Sequence, residues 1–245
     1  MSKETKDKPV WKEDNKRFVC FLDIMGFKDM VYNENHLVVK NKLIALSQIR
    51  QQIIDVTTDL NNGVEKYPQY ENCEIKPIAF SDSIVFFTNE DKPNDFLLLS
   101  YAVKSIVSRS IKLGIPIKGA ISHGLLTANF EKSVFFCKPL INAYLLQEEI
   151  QYYGVVLDNH AEAFLNANKE AISTSSLYFS IKTPLKKGVI THTNLSLLNN
   201  SLKGSDLNNL YNTVCGSTRI YVDNTISVFN TITDLKIKLD TVATK

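Results

Sequence analysis

Two apolar runs, each stopping at a single aspartate, constrain this chain more than any other feature. FLDIMGF carries Asp23 at the end of a run of aromatic and branched residues, and AFSDSIVFF carries Asp82 between two more such runs. Runs of this kind read as buried strands. A carboxylate where such a strand stops needs a partner, because desolvating an unpaired charge is expensive. A metal ion is the economical partner for two of them.

The pattern around the aspartates predicts a topology. RFVCFLDI reads as a strand beginning near Arg17, and Gly26-Phe27 turns the chain. Val39, Leu43, Leu46, Ile49, Ile53, Val56 and Leu60 recur with helical spacing, and Asn61-Asn62-Gly63 ends that helix. CEIKPIAF and IVFF, joined by Ser81-Asp82-Ser83, form a β-hairpin. A second helix opens at Pro93-Asn94-Asp95, with Gly114 at its C′ position and Pro116 beyond. IPIKGAISHGLLTA is the next strand. The order strand, helix, hairpin, helix, strand makes a βαββαβ unit: an α+β, ferredoxin-like split whose antiparallel sheet packs helices on one face. Its first and third strands are neighbours, which lets Asp23 and Asp82 face each other.

Beyond this core of about 17–150, an elaboration of about 151–245 continues the same domain. It follows a short FFC strand and a helix from about Pro139 to Tyr152. It comprises a GVVLD strand, a helix near 159–169, an exposed hairpin over TPLKKGVITHTNLSLL and a last helix with Ile226, Phe229, Ile232, Leu235 and Leu239 on one face. Residues 1–16 are mostly charged and read as a disordered or arm-like tail.

The 28 basic and 26 acidic residues among 245 leave a net charge of +2 and no basic cluster, which argues against a nucleic-acid or anionic-membrane surface. Cys20, Cys73, Cys137 and Cys215 lie far apart and read as free thiols. No stretch approaches the roughly 20 apolar residues that span a bilayer. A cytoplasmic protein is expected.

Magnesium and manganese favour one or two carboxylates completed by phosphate oxygens and water. Asp23 and Asp82 therefore suit a nucleoside triphosphate and its metals, two ions activating an attacking hydroxyl and stabilising departing pyrophosphate. The same residues also read as a turn aspartate flanked by serines and a residue opening a helix, and spacing alone does not choose. The four histidines show no metal spacing.

FLDIMGF, the SDS hairpin, KGAISHG and KPLINAYLLQEE resemble, in this order, the landmarks of class III nucleotidyl cyclases: a metal aspartate followed by I-x-G-F, a G-D hairpin, an R-x-G-x-x-x-G strand and a G-x-x-x-N-x-A helix start. The bacterial pyrimidine cyclases of Pycsar antiphage signalling are similar in F-x-D-I-x-G-F, F-S-D-S and P-x-x-x-A-Y. The resemblance implies that Asp23, the carbonyl of Ile24 and Asp82 hold two Mg²⁺ or Mn²⁺ ions. It implies that Gly26 and Phe27 cradle the β and γ phosphates and that Asn142 orients the ribose. It also implies that Ser81 of the hairpin, with Ile78 and Phe135, belongs to the nucleotide-binding residues.

The departures are informative. Leu146 stands where the family has its transition-state arginine, with Arg219, Lys186 and Lys187 as unassigned cations elsewhere. Ile78 and Phe135 stand where adenylate cyclases read adenine, and neither side chain offers a directional hydrogen bond. The expected substrate is thus UTP or CTP, cyclised to the 3′,5′-monophosphate by a homodimer whose site draws on both subunits. The product would act on a separate effector. The alternative expectation is a cyclase-like nucleotide-binding regulatory module without turnover.

Overall fold

The computed structural model describes residues 11–172, 176–198 and 202–243. One eight-stranded sheet organises them. β1 (Asp14–Ile24), β2 (Ile75–Phe80), β3 (Ser83–Thr88) and β4 (Ile117–Asn129) are joined by β5 (Val134–Phe136), β6 (Val155–Leu157), β7 (Tyr178–Leu185) and β8 (Gly188–Leu195). The spatial order is β2-β3-β1-β4-β6-β8-β7, with β5 paired to β4. β2, β3, β1 and β4 run antiparallel to their neighbours, the split βαββαβ arrangement that the sequence pattern predicts. β6 joins β4 in parallel.

The helices are α1 (Phe27–Asn33), α2 (His36–Asn61), α3 (Pro93–Lys112), α4 (Lys138–Glu149), α5 (Asn159–Ala167), α6 (Gly204–Asn209) and α7 (Ile220–Ala243). Local chemistry sets their ends. The Asn35 side chain accepts from the Leu37 amide to open α2, and Asp95 accepts from the Lys92 amide to open α3. Leu113 ends α3 and Gly114, at φ 67°, takes the left-handed conformation its C′ position requires.

Alternation along β1 divides the interior. Phe18, Cys20, Leu22 and Ile24 pack with Leu46, Ile49 and Ile53 of α2 and with α3 in the larger core. Phe21 turns to the opposite face, against a second cluster containing Ala120, Ala143 of α4 and Val228 and Ile232 of α7. Helices therefore cover both faces, where the pattern predicts one. The cause is α4, which lays Ala143 on the face of β1 and β4, together with α7 of the elaboration, which adds Val228 and Ile232.

Three local expectations are corrected. β1 starts at Asp14 rather than near Arg17, because Trp11 anchors it: the indole donates to the Ala128 carbonyl at 3.0 Å, and the buried Arg17 guanidinium lies 4.2 Å from the ring centroid. Residues 1–10 of the expected tail lie outside the described residues. α4 ends at Glu149 rather than near Tyr152, because Ile150 leaves the helix in an extended conformation, fully buried, to bridge Leu185. The β7–β8 hairpin, expected to be exposed, joins the sheet through Val156 and Asn194 and buries Phe179, Ile181 and Leu185. Ser180 and Lys182 on the outer face of β7 and the run from Lys186 to Thr191 around the tip stay exposed.

Among the described residues, no helix is long and apolar enough to cross a membrane. All four cysteines are free thiols, with Cys20 and Cys73 buried.

Candidate active site

Asp23 is the penultimate residue of β1 and shares a face with Val19 and Phe21. Its register partner on β3 is Ser83, the residue after Asp82. One position further, the Ile24 amide donates to the Asp82 carbonyl at 2.9 Å. The first and third strands thus bring the two aspartates to the same end of the sheet, each half-buried.

The turn that carries Asp82 is tight. Phe80 pairs with Ser83, so Ser81 and Asp82 alone make the reversal, and Ser81 takes φ 54°. A residue with a Cβ costs roughly 1 kcal/mol in that conformation, and strain of this sort is retained where it aims a functional group. Gly26 at φ 70° makes the other turn and precedes α1 without a side-chain cap, so the first amides of α1 have no helical acceptor.

Burial, then the Asp82 charge, push the Asp23 carboxyl up from 3.8 to about 6; Lys118 opposes the rise and Glu148 adds to it. A carboxyl raised in this way by burial and a neighbouring charge would be relieved by a shared cation. The donor set is two carboxylates and backbone carbonyls, all oxygen and open to water, which fits Mg²⁺ or Mn²⁺. Among the described residues no group of three or more His, Cys, Asp or Glu gathers, so a closed protein cage is not built. Water and phosphate oxygens would have to complete the shell.

Lys118, the first residue of the KGAISHG motif, is a residue to which the motif reading gave no role. It lies directly across from Asp23 on β4 and is only 2% exposed. Its ammonium donates to the carbonyls of Ile150 at 3.3 Å and Glu148 at 3.5 Å, at the end of α4, where unpaired carbonyls and the negative helix pole suit a cation. Burial draws its pKa down to about 8, and Glu148 works against that fall. The sequence does hold a signal: a lysine inside the apolar run IPIKGAI is a buried charge without a visible partner.

A cleft of about 560 Å³ opens beside the turn after Asp23. Ile24, Met25 and Gly26 form one wall, and Tyr153 and Tyr221 contribute to another. Asn142 sits half-buried on α4, next to the fully buried Ala143. Leu146, one turn on, packs against the second core. Ile78 and Phe135 come together in a third apolar cluster with Val19, Phe87 and Phe130, where Phe135 stacks on Phe87 at 5.8 Å. The register sets Ile78 two strands across from β1, level with Phe21 through Val85, and Phe135 stacks beside Phe87, the partner of Val19, so both lie back along the sheet from Asp23.

The unassigned cations are occupied. Lys186 and Lys187 lie 3.6 and 3.4 Å from Glu148 and Glu149, and the Arg219 guanidinium is 4.9 Å from the Tyr211 ring centroid.

No family model matches the sequence, and none of the curated proteins matches it. Solved structures do. A bacterial light-regulated adenylyl cyclase superposes with a TM-score of 0.52 at 10% identity, covering 82% of this chain and 99% of that one. The catalytic core of a rhodopsin-guanylyl cyclase with converted specificity, in complex with ATPαS, gives 0.51 at 11%, covering 75% and 96%. The adenylyl cyclase CyaB from P. aeruginosa gives 0.50 at 12%, covering 78% and 98%. At these identities the likeness concerns architecture, and on that ground the chain has the fold of adenylyl and guanylyl cyclase catalytic domains.

Proposed function

We propose that this chain is a nucleotidyl cyclase whose substrate is a pyrimidine nucleoside triphosphate, UTP or CTP. The observation that carries the reading is the pairing of the Asp23 strand end with the Asp82 turn through the Ile24 amide, on a sheet with the cyclase fold.

In this reading Asp23 and Asp82, with the Ile24 carbonyl, hold two Mg²⁺ or Mn²⁺ ions. When bound, such ions lower the pKa of the ribose 3′-hydroxyl and neutralise charge on the triphosphate. The 3′-oxygen then bonds to the α-phosphorus as the bond to the β-bridging oxygen breaks; the hydroxyl proton passes to solvent and pyrophosphate departs. Asp23 must be ionised to take a metal ion, so metal binding by the free protein weakens as pH falls through about 6. The open amides at Gly26 and Phe27 hold β- and γ-phosphate oxygens. Asn142 offers its amide to the ribose.

The apolar pair Ile78 and Phe135 supports loss of adenine readout, because neither can bond the exocyclic amine directionally. Its separation from Asp23 supports a site shared between subunits, in which one protomer gives the aspartates and its partner gives the base pocket and Asn142. Ile141, Tyr144 and Leu145 of α4 and Phe136 of β5 are exposed around Asn142, an apolar surface of the kind a homodimer covers. Resemblance to the Pycsar enzymes supports a role as a second-messenger synthase in antiphage defence, with a separate effector responding to the cyclic product.

Leu146 favours a second reading. A leucine packed into the second core cannot stabilise transition-state charge, which suits a nucleotide-binding regulatory module without turnover. Incubation with ATP, GTP, CTP and UTP plus Mn²⁺ separates the two, products being identified by mass spectrometry beside Asp23→Ala and Asp82→Ala controls. A cyclic UMP or CMP peak absent from both controls supports the cyclase. Metal-dependent nucleotide binding with no product supports the module.

A further inference from the structure

The hydrogen bonds of the Lys118 ammonium go to backbone carbonyls and not to a carboxylate. Asp23 is its cross-strand neighbour, yet the Nζ donates to the Glu148 and Ile150 carbonyls. Both are long for charge-assisted bonds. On a further side the ammonium lies 5.8 Å from the centroid of the Tyr221 ring. That ring is held firmly: it stacks on Tyr153 with centroids 5.8 Å apart and planes at 18°, and Tyr153 is 2% exposed. The start of α7 is tied to the same segment, since the Tyr153 amide donates to Thr225 Oγ1 at 2.8 Å and Asn224 Nδ2 donates to the Gln151 carbonyl at 2.8 Å. The C-terminal helix therefore reaches the neighbourhood of Asp23 through one aromatic ring.

A buried lysine opposite a carboxylate has an obvious alternative. It can pair with Asp23 and neutralise it, and a carboxylate so occupied is a poor metal ligand. We infer that Tyr221 is a positioning residue: with the end of α4 it parks the Lys118 ammonium away from Asp23, which keeps that carboxylate open for a divalent cation. The inference rests on the reading of Asp23 as a metal ligand and gives α7 a part in the site.

The test is Mn²⁺ affinity of the full chain, measured by electron paramagnetic resonance without nucleotide in the wild type, Asp23→Asn, Tyr221→Phe, Tyr221→Leu, Lys118→Met and the Tyr221→Leu, Lys118→Met double variant. Phenylalanine keeps the ring and should stay within about twofold of wild type. Leucine removes a partly desolvated cation–π contact and should weaken Mn²⁺ about tenfold. With Lys118 replaced there is nothing to park, so adding Tyr221→Leu should change nothing. That rescue separates positioning from damage, because a misfolded Tyr221→Leu protein would not be restored by a second core substitution. An unchanged affinity in Tyr221→Leu, an equal loss in the Lys118→Met background, or no Mn²⁺ binding sensitive to Asp23→Asn would overturn the inference. Turnover is measured separately: a cycle that couples without any cyclic product leaves the positioning role standing and removes the cyclase reading alone.

Discussion

Replacing Asp23 by asparagine should stabilise the metal-free protein while disabling its site. The rise of the Asp23 carboxyl from 3.8 to about 6 means that ionising it in the folded chain is penalised, first by burial and then by Asp82. At about 1.4 kcal/mol per pH unit the full penalty is about 3 kcal/mol, and solvent access to the half-buried side chain leaves about half of it. The sign follows from linkage: an acid whose folded pKa is raised contributes fully below its unfolded value near 3.8 and loses that contribution as pH climbs through about 6. Asparagine keeps the shape without the charge. For a chain of this size about 1.5 kcal/mol corresponds to roughly 3–6 °C in Tm. The assay is thermal unfolding in chelator from pH 4 to pH 8. Asp23→Asn should melt above wild type at pH 8 and converge with it near pH 4. In Mn²⁺ the wild type should gain stability and the variant should not. A variant less stable than wild type at pH 8, or offset equally at both pH values, would refute the electrostatic reasoning.

Other substitutions test the local geometry. Ser81→Gly relieves a positive φ at the hairpin and should raise stability by about 1 kcal/mol in urea unfolding, while loosening the aim of Asp82 and lowering turnover. Gly119→Ala places a Cβ 2.4 Å from the Phe21 carbonyl oxygen, an obstacle of backbone rather than a movable side chain. It should cost about 2 kcal/mol or more and push β1 from β4, read as a lower Tm together with weakened Mn²⁺ binding. Leu146→Arg should not restore the family's arginine: the site faces the second core, and a guanidinium there should cost about 2–4 kcal/mol with no gain in turnover.

The part of the site that lies in local pattern is legible in the sequence itself. Apolar runs broken by Asp23 and by Ser81-Asp82 announce strands and a hairpin, and the βαββαβ order then makes β1 and β3 neighbours. The end of α3 was equally readable, since Gly114 and Pro116 leave the helix no other place to stop. What escaped depends on contacts remote in sequence. α4 ends at Glu149 because Ile150 is claimed by Leu185, and no property of residues 150–152 alone announces that partner. Lys118 shows in IPIKGAI as a charge inside a buried strand, but nothing in that run announces its partners, the carbonyls at the end of α4. Tyr221 lies over a hundred positions from Lys118, and only the sheet order and the packing of α7 bring them together. Trp11 was read as part of a charged tail for the same reason, its anchor being the Ala128 carbonyl on β4.

The central claim, that Asp23 and Asp82 share a two-ion site for a nucleoside triphosphate, is tested most directly by Mn²⁺ electron paramagnetic resonance with a non-cyclisable UTP or CTP analogue. Two ions about 3.5 to 4 Å apart should give a spin-coupled spectrum at two Mn²⁺ per protomer. That signal should vanish in Asp23→Asn and in Asp82→Asn. One uncoupled ion per protomer, or a coupled signal that survives in both variants, would contradict the account.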